Sequence, residues 1–359
     1  MKILHVLTSP RAEGTPRIVL DWLKCVESEF IHELLFIHPE GELLATFQSR
    51  SEWQYYNTGF RLSAKKFPKL ILLIRRIVRE RKPDYVICWN TGISPWVAIG
   101  AKLGGRVSVI SHAGNYPGGK WKKHTLIHTN ILAFSHLFTR SKIVCCSNYI
   151  RDSYQQVPLV PRKVFRSVYN CLSINDFSPG LTWAERNIDA IMIATMERHK
   201  DHLTLLEAWK ILEDKGTTLN LLLIGDGSQK VILQDYANRI GLKSVTFLGS
   251  RNDVSILLSH AKIFIFSTTV EEGFGTVLIE ALASGCFVIA SDVPACRETL
   301  VDGSYGTLVP PKSPVVLADT IFSHFNNTPV ANRALIDNYL KKFSVIDMID
   351  QYIEISNKN

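Results

Sequence analysis

The stretch Glu271-Glu272-Gly273-Phe274-Gly275-Thr276-Val277-Leu278-Ile279-Glu280-Ala281-Leu282-Ala283-Ser284-Gly285 follows closely on the apolar run Ile263-Phe264-Ile265-Phe266. A strand that ends in a glycine-containing loop and opens into a helix leaves backbone N–H groups free at the helix start, where the helix dipole favours an anion such as phosphate. The N–H groups of Phe274, Gly275, Thr276 and Val277 are therefore candidate phosphate donors. Glu272 and Glu280 frame this cradle, and like-charge repulsion keeps both off a phosphate, which leaves hydroxyls as their expected partners. A diphosphate flanked by hydroxyl-rich groups satisfies both requirements. Nucleotide sugars have that make-up.

Seven residues separate Glu272 from Glu280, and the run EGFGTVLIEALASG resembles the E-x7-E signature of glycosyltransferase family 4, the retaining enzymes of GT-B fold. Two glutamates at such a spacing are a weak motif by themselves. The likeness extends, in the family's order, through Ile193–Trp209 (IATMERHKDHLTLLEAW), Leu221–Gly227 (LLLIGDG) and Val245–Leu258 (VTFLGSRNDVSILL). It is looser in the first half, through Lys2–Leu7, Lys82–Val86, Val109–Gly114 and Ile143–Ile150. The resemblance implies an α/β protein of two Rossmann-like domains whose parallel sheets face each other across an interdomain cleft.

The same resemblance assigns roles residue by residue. Lys200 takes the place of the lysine that neutralises the leaving diphosphate, Glu280 that of the ribose ligand, and Glu272 that of a ligand to the transferred sugar. Ser250 and Arg251 stand where the family's backbone reads the base, Gly225 opens a phosphate-loop-like Gly225-Asp226-Gly227, and His112 corresponds to a histidine that touches the donor sugar. Gly14 lies where paired glycines are usual. An arginine expected five residues before Lys200 is replaced by Thr195, and Arg198 is the nearby cation that could stand in for it. Each position also has an ordinary reading: a solvated lysine, a histidine satisfied within the core, and for Asp226 a plain helix cap.

Length and charge agree with two domains. At 359 residues the chain exceeds one ordinary core. Turn formers in Tyr169–Gly180 mark the junction, giving a first domain over 1–170, a second over 171–343 and a last segment, 344–359, expected to cross back to the first. Strands are expected at Ile3–Leu7, Glu33–Ile37, Tyr85–Trp89, Val107–Ser111 and Lys142–Cys145, then at Ala190–Ala194, Leu219–Ile224, Val245–Leu248, Ile263–Phe266, Phe287–Ala290 and Gly306–Val309, alternating with helices as parallel sheets require. Residues 1–179 hold 25 Lys+Arg against 12 Asp+Glu, net +13, and residues 180–359 hold 16 against 21, net −5.

Much of the basic excess lies in Lys65–Lys82 (KKFPKLILLIRRIVRERK), an amphipathic helix that reads equally as a sheet cover with a solvated face or as contact with an anionic membrane. Lys120, Lys122 and Lys123 with Trp121 and Tyr116 form a second basic, aromatic cluster, suited to a membrane or a lipid-diphosphate acceptor. No nucleic-acid-binding motif accompanies the charge. No apolar run reaches the ~18 residues that span a bilayer. Seven cysteines without a CxxC pair read as reduced thiols, and no DxD occurs. The expectation is a cytoplasmic, inner-membrane-facing enzyme that needs no cofactor or metal and uses a nucleotide sugar, with UDP the expected nucleotide, as donor. It would pass a hexose or N-acetylhexosamine to a saccharide or lipid-linked acceptor in surface-glycan synthesis. A nucleotide-sugar epimerase, a phosphorylase and a non-catalytic nucleotide-sugar-binding subunit are the alternatives.

Overall fold

The computed structural model of the chain describes residues 1–11, 14–25, 30–50, 52–119, 121–327 and 332–357. These residues divide into two compact units, Met1–Cys171 together with Val345–Asn359, and Leu172–Ser344.

In the first unit seven strands form one parallel sheet: β1 (Lys2–Leu7), β2 (Ile31–Phe36), β3 (Gln54–Asn57), β4 (Tyr85–Cys88), β5 (Ser108–Ala113), β6 (Lys142–Cys145) and β7 (Phe165–Ser167), in the order β3-β2-β1-β4-β5-β6-β7. Strand β1 pairs with β2 on one side and β4 on the other, Ile3 standing opposite both His32 and Tyr85. The chain therefore reverses its direction of growth across the sheet beside β1, and such a switch point opens a crevice at the C-terminal ends of the strands. One sheet face packs Ile3, Leu7 and Trp89 against the helix Gly14–Cys25 and the last helix, Val345–Asn357, whose Val345, Met348, Ile349 and Tyr352 are buried. Trp22 meets Tyr352 edge-on at 5.3 Å. The other face packs Leu4, Val6 and Val86 against the helices Phe67–Arg81 and Ser94–Gly104. Each such buried side chain contributes roughly 1.5–3 kcal/mol of transfer free energy.

In the second unit six strands form another parallel sheet: β8 (Ile188–Ile193), β9 (Leu221–Ile224), β10 (Val245–Gly249), β11 (Ala261–Phe266), β12 (Phe287–Ser291) and β13 (Thr307–Val309), in the order β10-β9-β8-β11-β12-β13. The switch point here lies between β8 and β11. Strand β11 is buried almost throughout, as expected of a strand covered on both faces. Arg186 is also buried, with no carboxylate partner among the described residues: it donates to the carbonyls of Leu181, Leu258, Ala261, Pro179 and Ser284. A guanidinium with five donors in a fixed fork can satisfy itself on backbone oxygens alone, and here it ties the segment 179–186 to the sheet.

All eleven strands expected from the alternation are present with shifts of one or two residues at their ends. The two not expected, β3 (QYYN) and β7 (FRS), are short outer strands lacking the buried apolar run that reveals a central one.

Candidate active site

The loops that leave β8 and β11, on either side of the switch point, carry the most chemistry. After β8 the chain forms a single 3-10 turn, Arg198–Lys200, and then the helix His202–Asp214. After β11 it runs through Thr268–Gly275 into the helix Thr276–Ala283. Lys200 Nζ forms an ion pair with Glu272 Oε2, and the two side chains are only 15% and 9% exposed. The ammonium also lies 4.9 Å from the centroid of the Phe266 ring, a face that attracts cations. Burial alone would raise the Glu272 pKa; the Lys200 charge and hydrogen bond, with a 3.0 Å bond from the Gly273 N–H, bring it below the ordinary carboxylate value.

Backbone geometry fixes these loops against each other. The His199 carbonyl accepts from Thr268 Oγ1 at 2.9 Å and from the Thr269 N–H at 3.0 Å, so the lysine turn is clamped to the loop that bears Glu272. The Thr268 N–H in turn donates to Ser291 Oγ at 3.0 Å. Gly275 caps the helix Thr276–Ala283 with φ +77°, and a Cβ there would meet Leu278 and the Phe266 ring at 3.1 and 3.2 Å. Phe274 is buried, and its carbonyl accepts from Thr299 Oγ1. Thr276 and Val277 stand in the first turn of the helix, whose N–H groups have no acceptor within the helix, and Glu280 follows one turn later, half-buried.

The loop after β9 joins the same edge. Gly225 has φ +136°, and a Cβ there would fall 1.9 Å from the Ala194 carbonyl oxygen, so only glycine fits. Glu197 reaches across to Ser228, accepting from its N–H at 2.9 Å and its hydroxyl at 2.7 Å. Asp226 does not cap the next helix, whose N-cap is Gln229; it accepts from the Gly227 N–H at 2.9 Å and pairs with Lys230 at 2.6 Å. Ser250 is exposed after β10, and Arg251 forms a two-pronged pair with Asp253 at 2.8 and 2.6 Å. The Arg198 side chain is exposed, with no hydrogen bond or ion pair among the described residues, and Thr195 is exposed as well.

In the first unit His112 lies near the C-terminal end of β5, fully buried. Its Nδ1 is 2.8 Å from Tyr352 Oη of the last helix, and its ring is 5.2 Å from that of Trp89. Burial lowers its pKa to about 4, so the ring is neutral at physiological pH. Nε2 is buried without a partner among the described residues, an unusual state for a polar atom. A Cβ at residue 114 would come within 3.2 Å of that nitrogen, so Gly114 keeps its approach open. Gly14 begins the helix after β1, with nothing within 4 Å of where a Cβ would stand. Asn90, after β4, uses its side-chain oxygen on the Gly92 N–H at 2.8 Å, an ordinary loop role.

Residues 173–342 match the family described as glycosyl transferases group 1. An uncharacterized glycosyltransferase of Methanocaldococcus jannaschii is 26% identical over 320 residues, 80% of this chain and 78% of that protein. The second half of the chain is thus similar to the glycosyl transferases of group 1. A second relative, the phosphatidyl-myo-inositol mannosyltransferase of Mycobacterium tuberculosis, is 32% identical over 143 residues, and the match spans 38% of this chain and 37% of the mannosyltransferase. Among solved structures Anabaena HepE, in complex with UDP and glucose, shares the fold with a TM-score of 0.84 over 100% of both chains at 17% identity. The two parallel sheets thus have the GT-B fold.

The sequence alone does not point to Thr268, Ser291 and Tyr352. Thr268 is four residues before Glu272 and within reach of a closer inspection of the motif. The bond between Tyr352 and His112 spans 240 residues, and no local pattern announces it.

Proposed function

We propose that this glycosyltransferase transfers a hexose or N-acetylhexosamine from a UDP-sugar to a saccharide or lipid-linked acceptor in surface-glycan synthesis, with retained anomeric configuration and without a metal. The observation that carries this reading is the buried Lys200–Glu272 pair beside the N-terminus of the helix Thr276–Ala283. An arriving diphosphate offers Lys200 a second anion, and the exchange frees Glu272 to accept hydroxyls of the transferred sugar. Lys200 and the helix N–H groups then meet the charge that grows on the leaving phosphate. In the reaction the bond from the anomeric carbon to phosphate breaks, the acceptor oxygen bonds that carbon on the same face, and the acceptor proton passes to the departing phosphate oxygen. His112 Nε2 is assigned to a hydroxyl of the donor sugar and Glu280 to the ribose; Ser250 and Arg251 are assigned to the base, and Arg198 to the second phosphate charge.

The UDP bound to HepE and the phosphatidyl-myo-inositol in the name of the mannosyltransferase support the donor and acceptor classes. No DxD occurs in the sequence, which supports the metal-free reading. The proposed site of action is the cytoplasmic face of a membrane, to which the basic first half of the chain is drawn; among the described residues no helix is long and apolar enough to cross one.

The test is nucleotide release from UDP-, GDP- and ADP-sugars, with and without membrane lipid extract, by wild type and Glu280→Ala. The expected result is release from UDP-sugars that requires the extract and collapses in the variant. Release without acceptor indicates an epimerase or phosphorylase, and saturable binding with no release indicates a silent binding subunit. Loss of activity in chelator that magnesium or manganese restores would overturn the metal-free mechanism.

A further inference from the structure

From Tyr85 to Arg151 the sequence holds 67 residues without a single Asp or Glu, and eight Lys or Arg. The helix Lys123–Phe138 lies within this stretch, packed beside the helix Ser94–Gly104 and strand β6. Its inward side is conventional: Thr125, Thr129, Leu132, Ala133 and His136 are buried. Its outward side is not. Ile127, Ile131, Phe134 and Phe138 are all exposed, Phe138 to 86%, and their spacing of four, three and four residues places them on one face of the helix. Trp121, 71% exposed, precedes this face, and Leu159 is exposed on the adjoining loop, which Asn130 of the helix holds by a 3.0 Å bond to the Pro158 carbonyl.

The rim is cationic. Lys122, Lys123, Arg140, Arg162 and Lys163 are exposed around it, and the first acid after the stretch, Asp152, is paired with Arg151 at 2.8 Å. An exposed apolar stripe with an interfacial tryptophan and a basic rim has the chemistry of a surface that enters an anionic lipid interface. A second copy of the chain would bring the same positive rim to face this one. The helix Phe67–Arg81, which holds more of the charge, differs: its buried face is Leu70, Ile74, Ile77 and Val78, and its exposed face carries Lys69, Arg76, Arg79 and one exposed large hydrophobic, Leu72. It can attract a membrane but offers little to insert.

We infer that the exposed face of Lys123–Phe138, with Trp121 and Leu159, is the surface through which the protein docks on an anionic bilayer. This rests on the membrane-facing reading above, but its test does not require turnover. Full-length protein is floated with vesicles of phosphatidylcholine alone or with about 30% phosphatidylglycerol. Wild type binds the anionic vesicles, and Phe134→Ser/Phe138→Ser binds them at least about tenfold more weakly, because insertion of apolar side chains supplies the affinity beyond charge. Phe134→Leu/Phe138→Leu retains binding, and Arg76→Gln/Arg79→Gln loses only about two- to threefold. Nucleotide release with a water-soluble acceptor is unchanged in the serine variant.

Wild type that ignores anionic vesicles overturns the inference, as does a serine variant that binds as well as wild type. If wild type is a dimer that the serine variant dissolves, and neither floats, a second copy covers the face instead. Absence of nucleotide release together with intact, serine-sensitive flotation would sink the transferase reading alone.

Discussion

The two units solve different electrostatic problems at equivalent places, the C-terminal ends of parallel strands. The second unit buries opposite charges in contact, Lys200 on Glu272, which in the proposed reaction holds a cation ready for an anionic ligand at the cost of desolvating both. The first unit buries a neutral imidazole, His112, held by Tyr352 and Trp89, with one nitrogen unpartnered among the described residues. A charged leaving group calls for stored countercharge, whereas an uncharged hydroxyl calls for a positioned hydrogen-bonding atom. Charge pairing and neutral burial should therefore fail in different ways when disturbed.

The largest effect is expected on the charged side. Lys200→Met should reduce turnover about a thousandfold and, by leaving Glu272 buried and unpaired, lower the unfolding free energy by about 3 kcal/mol. Adding Glu272→Gln should restore most of that stability and none of the turnover. Denaturant unfolding and nucleotide release of the two variants check this; stability unchanged in Lys200→Met would show that the pair is more solvated than its burial indicates. Arg186→Ala, which orphans several buried carbonyls, should likewise cost about 3 kcal/mol while leaving the nucleotide affinity of the folded protein intact.

On the neutral side the expected loss is smaller. His112→Gln should lower turnover about a hundredfold, and Tyr352→Phe about tenfold, read from initial rates at saturating donor. The pH dependence of stability separates the two sides further. The folded His112 pKa, about 4, lies below the ordinary 6.5, so the unfolded chain binds the proton first and stability falls as pH drops from 6.5 towards 4. The stability difference between wild type and His112→Gln should shift over that window by roughly 3 kcal/mol. The folded pKa of Glu272 lies below 4.5, so its contribution is complete above that value and is lost as pH falls through the folded pKa; the difference between wild type and Glu272→Gln should change only at that acid end. Coincident pH profiles for the two variants would erase the distinction between the units. The smallest effect belongs to Arg198→Ala, where an exposed cation should change nucleotide affinity about two- to fivefold in a binding titration.

By itself the sequence determined the alternation of strands and helices, because β1, β8 and β11 are largely apolar runs bounded by turn formers, and it marked the candidate phosphate cradle, because Gly273-Phe274-Gly275 lies in the loop between a strand and a helix. These are local patterns, readable within a window of about one strand and one helix. It did not reveal β3 and β7, whose residues are neither continuously apolar nor strictly alternating. Nor could it decide that Lys200 meets Glu272 across 72 residues, or His112 meets Tyr352 across 240, since a hydrogen bond between distant residues leaves no local periodicity. The helix Lys123–Phe138 shows the limit most plainly. Its apolar residues lie on both sides, and periodicity states which of them share a face; only the packed sheet and the neighbouring helix decide that Leu132 and Ala133 are covered while Ile131, Phe134 and Phe138 are left to the solvent.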